Sequence, residues 1–407
     1  MIRRYMQSFR IPINYAWLII FALIPQSISQ WKIASLIAKV VIILAFSVRI
    51  TGYSRVRLVG KDFILLLLYS ANIISPLFWG GGSTAEALQD VFILILTFLM
   101  FYVVPREILN GNSFDVLSFY KIFSYFIVAA CVYNIIINYN GLLHITSLSV
   151  YSRNEIRSFF DNKNTFGFFL MYGIFSSAIL RVRTREKKWI FFILLMILNE
   201  LMAMCRSAIV VSIIALLLVI AGDKRQGIRR YLVIIVLVSA ALYAIAIFSG
   251  LHKLITENIF GDTNSLYSRV DFIHDIYPNV TGLYRIIGYG SSTARRISYY
   301  YTGVKYFHNS FLQAFVEGGL IRVLIIASFL MHTINNSLRV RKVDVLSGNI
   351  CLVSIIMYVV YSFAESVLLF DSPVASLTAT IFVIAIPSYI HSGYYNSVND
   401  VGVKNDL

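Results

Sequence analysis

Long apolar runs, separated by short polar segments, dominate this sequence. A run of about 18 or more apolar residues with few charges is long enough to cross a bilayer as an α-helix. Runs of this kind predict twelve transmembrane helices, at 12–30, 33–50, 62–80, 87–104, 117–139, 163–181, 188–204, 206–222, 230–249, 310–333, 348–370 and 373–391. The pattern therefore predicts an all-α, polytopic membrane protein with about twelve transmembrane helices.

The composition agrees with a membrane protein and excludes two other classes. Of the 407 residues, 58% are hydrophobic and 14% are charged, whereas about 25% of residues are charged in a soluble domain. A soluble enzyme is therefore excluded. The formal net charge of +15 would suggest nucleic acid in a soluble domain, but most of the lysines and arginines lie in short loops between apolar runs. The predicted partner is therefore the lipid bilayer and not nucleic acid.

The basic residues recur in alternate loops, which predicts the orientation of the chain. Arg3, Arg4 and Arg10 precede the first run, and the second, sixth, eighth and tenth loops are also basic. Because cytoplasmic loops carry the excess of Lys and Arg, both termini are predicted to be cytoplasmic, with the protein in the inner (cytoplasmic) membrane. The chain then divides into helices 1–9 (1–249), a large extracytoplasmic loop (250–309), and helices 10–12 with a cytoplasmic tail (310–407).

The first polar cluster on the predicted outer side opens the sixth helix. Asn162 and Asn164 can cap this helix by accepting backbone N–H bonds, or they can bind substrate together with Arg157 and Lys163. A helix N-terminus also favours anions, so a phosphate group would suit this position. Gly167 permits close contact between helices.

The second cluster is Cys205-Arg206-Ser207, between the seventh and eighth helices. The turn there is almost absent, which puts Arg206 at the outer membrane face and against the positive-inside bias. An arginine in this position either snorkels to lipid phosphate or offers its fork of N–H donors to a phosphate of the substrate.

The third cluster lies in the large loop and combines basic side chains with tyrosines. Its basic members are Arg269, His274, Arg285, Arg295 and Arg296. Arginine forks bind phosphate oxygens bidentately, although a solvated surface charge is the favoured interpretation for Arg295 and Arg296. The tract 299–301, together with Tyr306, supplies flat amphipathic rings that suit a sugar face and a membrane interface equally well.

The fourth cluster surrounds the start of the tenth helix. His308 and Asn309 lie just before it, and Glu317 and Arg322 flank the pair Gly318-Gly319. Ionisable residues at the edge of a span are costly and are therefore candidates for function. A lone histidine is often structural, but at the mouth of a span it could also act as a base near neutral pH.

Taken in order, these motifs resemble one known family. They are Asn-Lys-Asn-x-x-Gly at 162–167, Arg206-Ser207 between two helices, Arg269 and then Gly-Tyr-Gly at 288–290 in a long outer loop, and His-Asn-Ser-Phe-Leu at 308–312 leading to Glu-Gly-Gly-Leu at 317–320. The arrangement is similar to that of the O-antigen polymerase and O-antigen ligase superfamily, over roughly residues 157–335. The chain departs from the family in having Met204-Cys205 before the arginine and Ala208 after Ser207, which concerns the turn and not the arginine.

The resemblance implies a GT-C-like membrane glycosyltransferase that acts outside the cytoplasmic membrane on glycans carried by undecaprenyl diphosphate. It implies that Arg206 and Arg269 hold the diphosphate and that His308 orients or deprotonates the acceptor hydroxyl, without a metal or other cofactor. The remaining substrate-binding candidates are Arg157, Asn162, Lys163, Asn164, Arg285, Tyr289, Asn309 and Glu317.

The residue types also fit glycosyl transfer from a lipid diphosphate when the family resemblance is set aside. Breaking a glycosyl–diphosphate bond develops negative charge on the leaving oxygens, and preorganised arginines stabilise that charge as it grows. The predicted outer face has no Asp-x-Asp motif, and the three cysteines form no C-x-x-C pair. Neither a metal-dependent reaction nor a zinc or disulfide framework is therefore predicted.

Three functions remain open at this stage. The leading prediction is a polymerase that joins oligosaccharide repeat units into O-antigen or capsular polysaccharide, with a chain-length regulator and a flippase as possible partners. The second is a ligase that moves finished glycan to lipid A core. The third, from another class, is a lipid-linked sugar flippase or other transporter, which twelve helices would suit. Inverted repeats typical of transporters are not evident between the two halves of the sequence.

Overall fold

The computed structural model describes residues 60–79, 82–103, 116–139, 156–203, 205–222, 276–303, 306–371 and 373–393. The predicted helices at 12–30, 33–50 and 230–249, and also Arg269 and His274, lie outside these residues. Within the described ranges all regular secondary structure is helical and no strand is present.

Eleven helices are named here in chain order. They are α1 (Gly60–Ile74), α2 (Thr84–Phe98), α3 (Val116–Ile137), α4 (Lys163–Thr184), α5 (Lys188–Ala203), α6 (Arg206–Gly222), α7 (Tyr284–Ile287), α8 (Ser291–Thr302), α9 (Ser310–Val343), α10 (Val345–Ser362) and α11 (Val374–Thr380). A 3-10 turn, Ser75–Trp79, extends α1, and π-helical turns, Leu99–Val103 and Ile381–Ala385, extend α2 and α11.

Seven of the described helices, counted with these extensions, are long and apolar enough to cross a membrane. They are Gly60–Trp79, Thr84–Tyr102, Val116–Ile137, Lys163–Thr184, Ser310–Val343, Val345–Ser362 and Val374–Gly393. The apolar helices α5 and α6 are shorter, with 16 and 17 residues, or about 25 Å at about 1.5 Å per residue. The prediction of an all-α, polytopic membrane protein is confirmed.

The described residues form two compact units. The first consists of those up to Phe119 and those from 276 onward, and the second of those from Tyr120 to 222.

In the second unit, α4 is the central helix and is buried from Phe166 to Leu180. Two glycines let its neighbours approach closely. A methyl group at Gly173 would lie 2.9 Å from Ile127 of α3 and from Met196 of α5, and one at Gly167 would overlap Cys205. The predicted close helix contact at Gly167 is therefore present, and α4 packs against α3, α5 and the start of α6.

In the first unit, α9 is broken in its first half. Gly319 has φ 63° and ψ −164°, which is not helical. The break exposes the carbonyl oxygen of Gly318, and the amide of Asn72 in α1 donates to that oxygen at 2.7 Å. The apolar pattern had predicted a helix at 310–333, and α9 covers this range. The break was not predicted, because the hydrophobic run continues through the glycine pair, whereas the break depends on a partner distant in sequence.

The helix predicted at 348–370 ends earlier than expected. Helix α10 ends at Ser362, and residues 363–371, called here the connecting segment, are irregular. The apolar run had predicted a helix here, and Glu365 and residues 367–370 are indeed buried. They are buried as irregular backbone and not as a helical face.

Side chains from neighbouring helices bind the backbone of the connecting segment. The hydroxyl of Tyr358 donates to the carbonyl of Val367 at 3.0 Å, and that of Thr97 to the carbonyl of Phe370 at 3.2 Å. Backbone without regular structure is tolerated among membrane helices only where the protein satisfies its polar groups in this way.

The part of the predicted outer loop that is described packs on the first half of α9. Ile276, Val280 and Ala294 form one apolar core with Leu312 and Val316 of α9. A hydroxyl in this region, that of Tyr284, donates to the carbonyl oxygen of Trp79 at 2.7 Å. The loop residues therefore cover the end of the first unit at which α1 ends and α9 begins.

Candidate active site

His308 lies at the mouth of α9 and is paired with an acid from the connecting segment. Its Nδ1 lies 3.0 Å from Oε2 of Glu365. The side chain of His308 is 33% exposed, whereas that of Glu365 is 9% exposed. With φ 50°, His308 has a left-handed backbone that is unusual for a side chain of its size. A buried carboxylate thus holds a partly accessible imidazole.

The start of α9 fixes this carboxylate in place. The hydroxyl of Ser310 lies 2.8 Å from the carbonyl oxygen of Glu365 and accepts the N–H of Val367, also at 2.8 Å. Glu365 was not among the site residues predicted from the sequence. Its pairing with His308 was missed because 57 residues separate the two, and the segment between them was predicted to be helical up to residue 370.

Asn309 is the N-cap of α9. Its Oδ1 accepts the N–H of Leu312 at 2.9 Å, and its Nδ2 donates to the carbonyl oxygen of Phe363 at 3.4 Å. Asn309 is 4% exposed. It was predicted to bind substrate, but in the structure its polar atoms bind the backbone.

Glu317, also predicted to bind substrate, is buried in an ion pair. Its Oε2 lies 2.6 Å from Nη1 of Arg322, and its Oε1 accepts from the amide of Gln313. The Nε of Arg322 donates to Oδ1 of Asn72 at 3.2 Å, and the guanidinium lies over the ring of Tyr69 at 5.6 Å. The polar side chains around the break in α9 are therefore hydrogen-bonded to one another.

The Gly-Tyr-Gly motif and the Glu-Gly-Gly motif fit against each other. The N–H groups of Tyr289 and Gly290 donate to the carbonyls of Val316 and Glu317, each at 2.8 Å. A Cβ at Gly288 would overlap this backbone, and Gly288 also has φ 76°. The two motifs therefore join the outer loop to the broken helix.

Tyr289 and Arg285 are held within the loop. The ring of Tyr289 stacks on Tyr284 with centroids 4.2 Å apart, and burial raises the pKa of its hydroxyl above the ordinary value. The Nε of Arg285 donates to the carbonyl of Val280 at 2.6 Å, and its guanidinium lies 5.6 Å from the ring of Tyr277.

In the second unit, the first two predicted clusters meet. Asn162 caps α4 by accepting the N–H of Thr165 at 2.8 Å, as one of the two interpretations had predicted. Asn164 accepts a hydrogen bond from the thiol of Cys205 at 3.8 Å. The start of α4 and the residues just before α6 therefore lie together.

The basic residues of these clusters lie at the same end of the second unit. Arg206 is the first residue of α6 and is partly buried, and two residues, 204 and 205, separate it from the last residue of α5. Lys163 is the first residue of α4. Arg157 is exposed, and its Nη1 donates to the carbonyl of Asp161 at 2.6 Å. The predicted tight hairpin at Arg206 agrees with the ends of α5 and α6.

The structure thus divides the predicted site residues between the two units. His308, Asn309, Glu317, Arg285 and Tyr289 surround the first half of α9, whereas Arg157, Asn162, Lys163, Asn164 and Arg206 lie together near the starts of α4 and α6. Their substrate-binding and catalytic roles remain predictions. Among the described residues no group of three or more His, Cys, Asp or Glu side chains could hold a metal ion.

The helices and the polar groups at their ends define the class of protein: a polytopic membrane protein with an ionisable site at the mouth of a broken span. The family model described as O-antigen ligase matches residues 191–327, which confirms the predicted resemblance to the O-antigen polymerase and ligase superfamily. Members of this family are enzymes. The matched stretch contains Arg206, Arg269 and His308, whereas the motif at 162–167 precedes it. A search of curated proteins found no match.

Proposed function

We propose that this chain is a membrane glycosyltransferase that polymerises oligosaccharide repeat units linked to undecaprenyl diphosphate. The product would be O-antigen or capsular polysaccharide, made on the outer side of the cytoplasmic membrane. The observation that carries the proposal is the His308–Glu365 pair at the mouth of α9. His308 lies within the stretch matched by the O-antigen ligase family, and Glu365 lies beyond it.

The reaction transfers a growing glycan from one lipid diphosphate to the next repeat unit. The oxygen of an acceptor sugar hydroxyl forms a bond with the anomeric carbon of the donor glycan. The bond from that carbon to the diphosphate oxygen breaks, and its electron pair leaves with the lipid diphosphate. The hydroxyl proton passes to a base. The products are a longer lipid-linked glycan and free undecaprenyl diphosphate.

His308 is the proposed base. If its Nδ1–H donates to the carboxylate of Glu365, the lone pair of the neutral ring lies on Nε2 and can accept the hydroxyl proton. The carboxylate also stabilises the imidazolium that forms. A positioned base of this kind contributes about 10²–10⁴-fold to rate. Glu365 is a positioning residue, because it acts through His308.

Arg206 and Arg269 are proposed to bind the diphosphate, as the resemblance implies. A guanidinium offers a rigid fork of donors that matches phosphate oxygens, and it keeps its charge at all physiological pH values. Stabilisation of the leaving diphosphate by arginine would make the reaction independent of a divalent metal. The start of α6 supports the role of Arg206, since the N-terminal end of a helix favours an anion.

A ligase that transfers finished glycan to lipid A core is the second candidate, because the matching family model is itself described as O-antigen ligase. Both reactions break the same donor bond and differ only in the acceptor. The surface glycan of a strain that lacks the gene separates them. We expect glycan with a single repeat unit for a polymerase. Free lipid-linked polymer would indicate a ligase, and the absence of exported repeats a flippase.

The metal requirement is tested with the purified protein in nanodiscs and a synthetic lipid-linked repeat unit. We expect chain extension to continue in EDTA at the rate found with Mg²⁺. Loss of extension in EDTA that Mg²⁺ restores would contradict stabilisation of the leaving group by arginine alone.

The role of Arg206 is tested by Arg206→Lys in the same assay. Lysine keeps the charge but lacks the bidentate fork, so we expect the rate of extension to fall about 10–100-fold, the equivalent of one charge-assisted hydrogen bond. Arg183→Lys, at the opposite end of α4 from Asn162, is the matched control and should retain the rate. Full activity of Arg206→Lys would show that this position needs only a positive charge, which would contradict bidentate binding of the diphosphate.

A further inference from the structure

A second polar cluster of the first unit lies between α2 and α8. Glu86 and Asp90 are one helical turn apart on α2, and Ser291 and Arg295 are one turn apart on α8. The hydroxyl of Ser291 donates to Oδ2 of Asp90 at 2.6 Å, which joins the two helices. From the sequence, a solvated surface charge was the favoured interpretation for Arg295. The structure instead places this side chain half-buried among carboxylates.

Two polar atoms in this cluster are buried without a hydrogen-bond partner. They are Oε2 of Glu86, which is an acceptor, and Nε of Arg295, which is a donor. The charge of Arg295 interacts with those of Asp90, Glu86 and Glu317, but Arg295 forms no ion pair within 4.0 Å with an acid in the described residues. A buried donor or acceptor without a partner is costly, so a ligand hydroxyl that reached these atoms would supply the hydrogen bonds that the protein does not.

The third element of the cluster is Tyr306, which lies near enough to Arg295 for each group to affect the pKa of the other. Burial raises the pKa of Tyr306, while the charge of Arg295 acts in the opposite direction. The phenol therefore stays protonated at neutral pH and can donate a hydrogen bond. Tyr306 precedes His308 by two residues, so the cluster adjoins the mouth of α9.

A sugar hydroxyl matches this arrangement better than an ion does. A hydroxyl both accepts and donates, so the hydroxyl groups of a sugar offer an acceptor for Nε of Arg295 and a donor for Oε2 of Glu86. A phosphate would be repelled by the two carboxylates, and a metal cation by the guanidinium. Tyrosine adds an amphipathic ring with a polar tip.

We infer that Glu86, Asp90, Ser291, Arg295 and Tyr306 form a subsite for the sugar hydroxyls of a lipid-linked glycan. The inference rests on the proposed glycosyl transfer and names the part of the substrate that this face binds. Two carboxylates against one guanidinium leave a net negative charge, so the subsite should select neutral or amino sugars over uronic acids.

The test uses the full chain in nanodiscs and the repeat-unit oligosaccharide released from its lipid by mild acid. Binding of this soluble glycan and the KM and kcat for lipid-linked repeat are measured for Arg295→Gln and Glu86→Gln. We expect each variant to weaken glycan binding and to raise KM about tenfold, with kcat changed less than about threefold. Arg296→Gln, an exposed neighbour on α8, and Gln89→Ala, an exposed neighbour on α2, are the matched controls and should bind as the unmodified protein does.

The outcomes separate the subsite from the proposed function. Polymer formation with unchanged KM and glycan binding in both variants would overturn the subsite and leave the function intact. The absence of both polymer formation and glycan binding by the unmodified protein would overturn both. Equal losses in the variants and their controls, with lowered thermal stability, would indicate a structural role and would also overturn the subsite. A uronic acid repeat that binds as tightly as a neutral one would refute the predicted selectivity.

Discussion

Two pairs of ionisable side chains lie in or beside the first half of α9. They differ in how exposed their side chains are and in how many of their polar atoms bind other parts of the protein. The inner group is the pair Glu317–Arg322, with side chains 8% and 5% exposed. The outer group is the pair His308–Glu365, with side chains 33% and 9% exposed. Both pairs contain one acid and one basic side chain at hydrogen-bonding distance, and both lie within or beside the same helix.

The difference lies in what remains available for a substrate. Both carboxylate oxygens of Glu317 are hydrogen-bonded within the protein, and Arg322 donates to Glu317 and Asn72. In the outer pair, the carboxylate of Glu365 contacts Nδ1 of the imidazole, while the ring itself is partly accessible. A charged residue within a motif is therefore not by that position alone a candidate for substrate binding. A better candidate is a side chain that is held in place and still has an accessible polar atom.

The largest expected effect is on stability, in the inner pair. Arg322→Ala leaves the carboxylate of Glu317 buried without its charge partner and should cost about 3–5 kcal/mol, a large share of a total of about 5–15 kcal/mol. We expect little folded protein, measured by size-exclusion chromatography and thermal unfolding in detergent.

The double variant Glu317→Leu with Arg322→Met is the control, because it removes both charges at once. Replacing a buried ion pair with apolar side chains is often nearly neutral, so part of the stability should return. A stable, fully active Arg322→Ala protein would show that the inner pair does not support the break in α9.

The outer pair should respond in activity and not in stability. His308→Ala removes the proposed base and should lower the rate of glycan extension by about 10²–10⁴-fold, with the protein still folded. His332→Ala, a histidine further along α9, is the matched control and should retain activity. Normal long chains from His308→Ala would remove His308 from the mechanism.

Much of this fold follows from the apolar pattern. The predicted starts of α4 and α6, at 163 and 206, agree with the structure. They could be predicted because polar residues mark the start of each apolar run, Asn162 and Lys163 at α4 and Arg206 at α6. The cap at Asn162 was one of the two interpretations that the sequence offered, since its effect is local and depends only on the residues that follow it.

The break in α9 and the connecting segment were not predicted, and for the same physical reason. In both, side chains that are distant in sequence form the hydrogen bonds of the irregular backbone. The break at Gly319 depends on Asn72, which is 246 residues away from the carbonyl that it binds. The connecting segment likewise depends on Thr97 and Ser310. Hydropathy cannot distinguish a buried irregular segment from a buried helix, so Glu365 could not be paired with His308 from the sequence.

A smaller loss of activity would sharpen the assignment of Glu365 as a positioning residue. Glu365→Gln keeps the size of the side chain but removes its charge, and should lower kcat about 10–100-fold with little change in KM, as expected for one charge-assisted hydrogen bond. Glu365→Asp keeps the charge and should recover part of that rate. A merely structural residue would not distinguish these variants in kcat at equal thermal stability.

The smallest expected effect separates capping from substrate binding at Asn309. Serine is also a good N-cap, so Asn309→Ser should keep the bond to the N–H of Leu312, which the asparagine now accepts at 2.9 Å. Asn309→Ala loses the cap and should cost about 0.5–2 kcal/mol, measured by thermal unfolding. If Asn309 only caps α9, the serine variant should have unchanged KM and kcat for lipid-linked repeat. A raised KM in the serine variant, at unchanged stability, would instead place Asn309 with His308 among the residues that contact substrate.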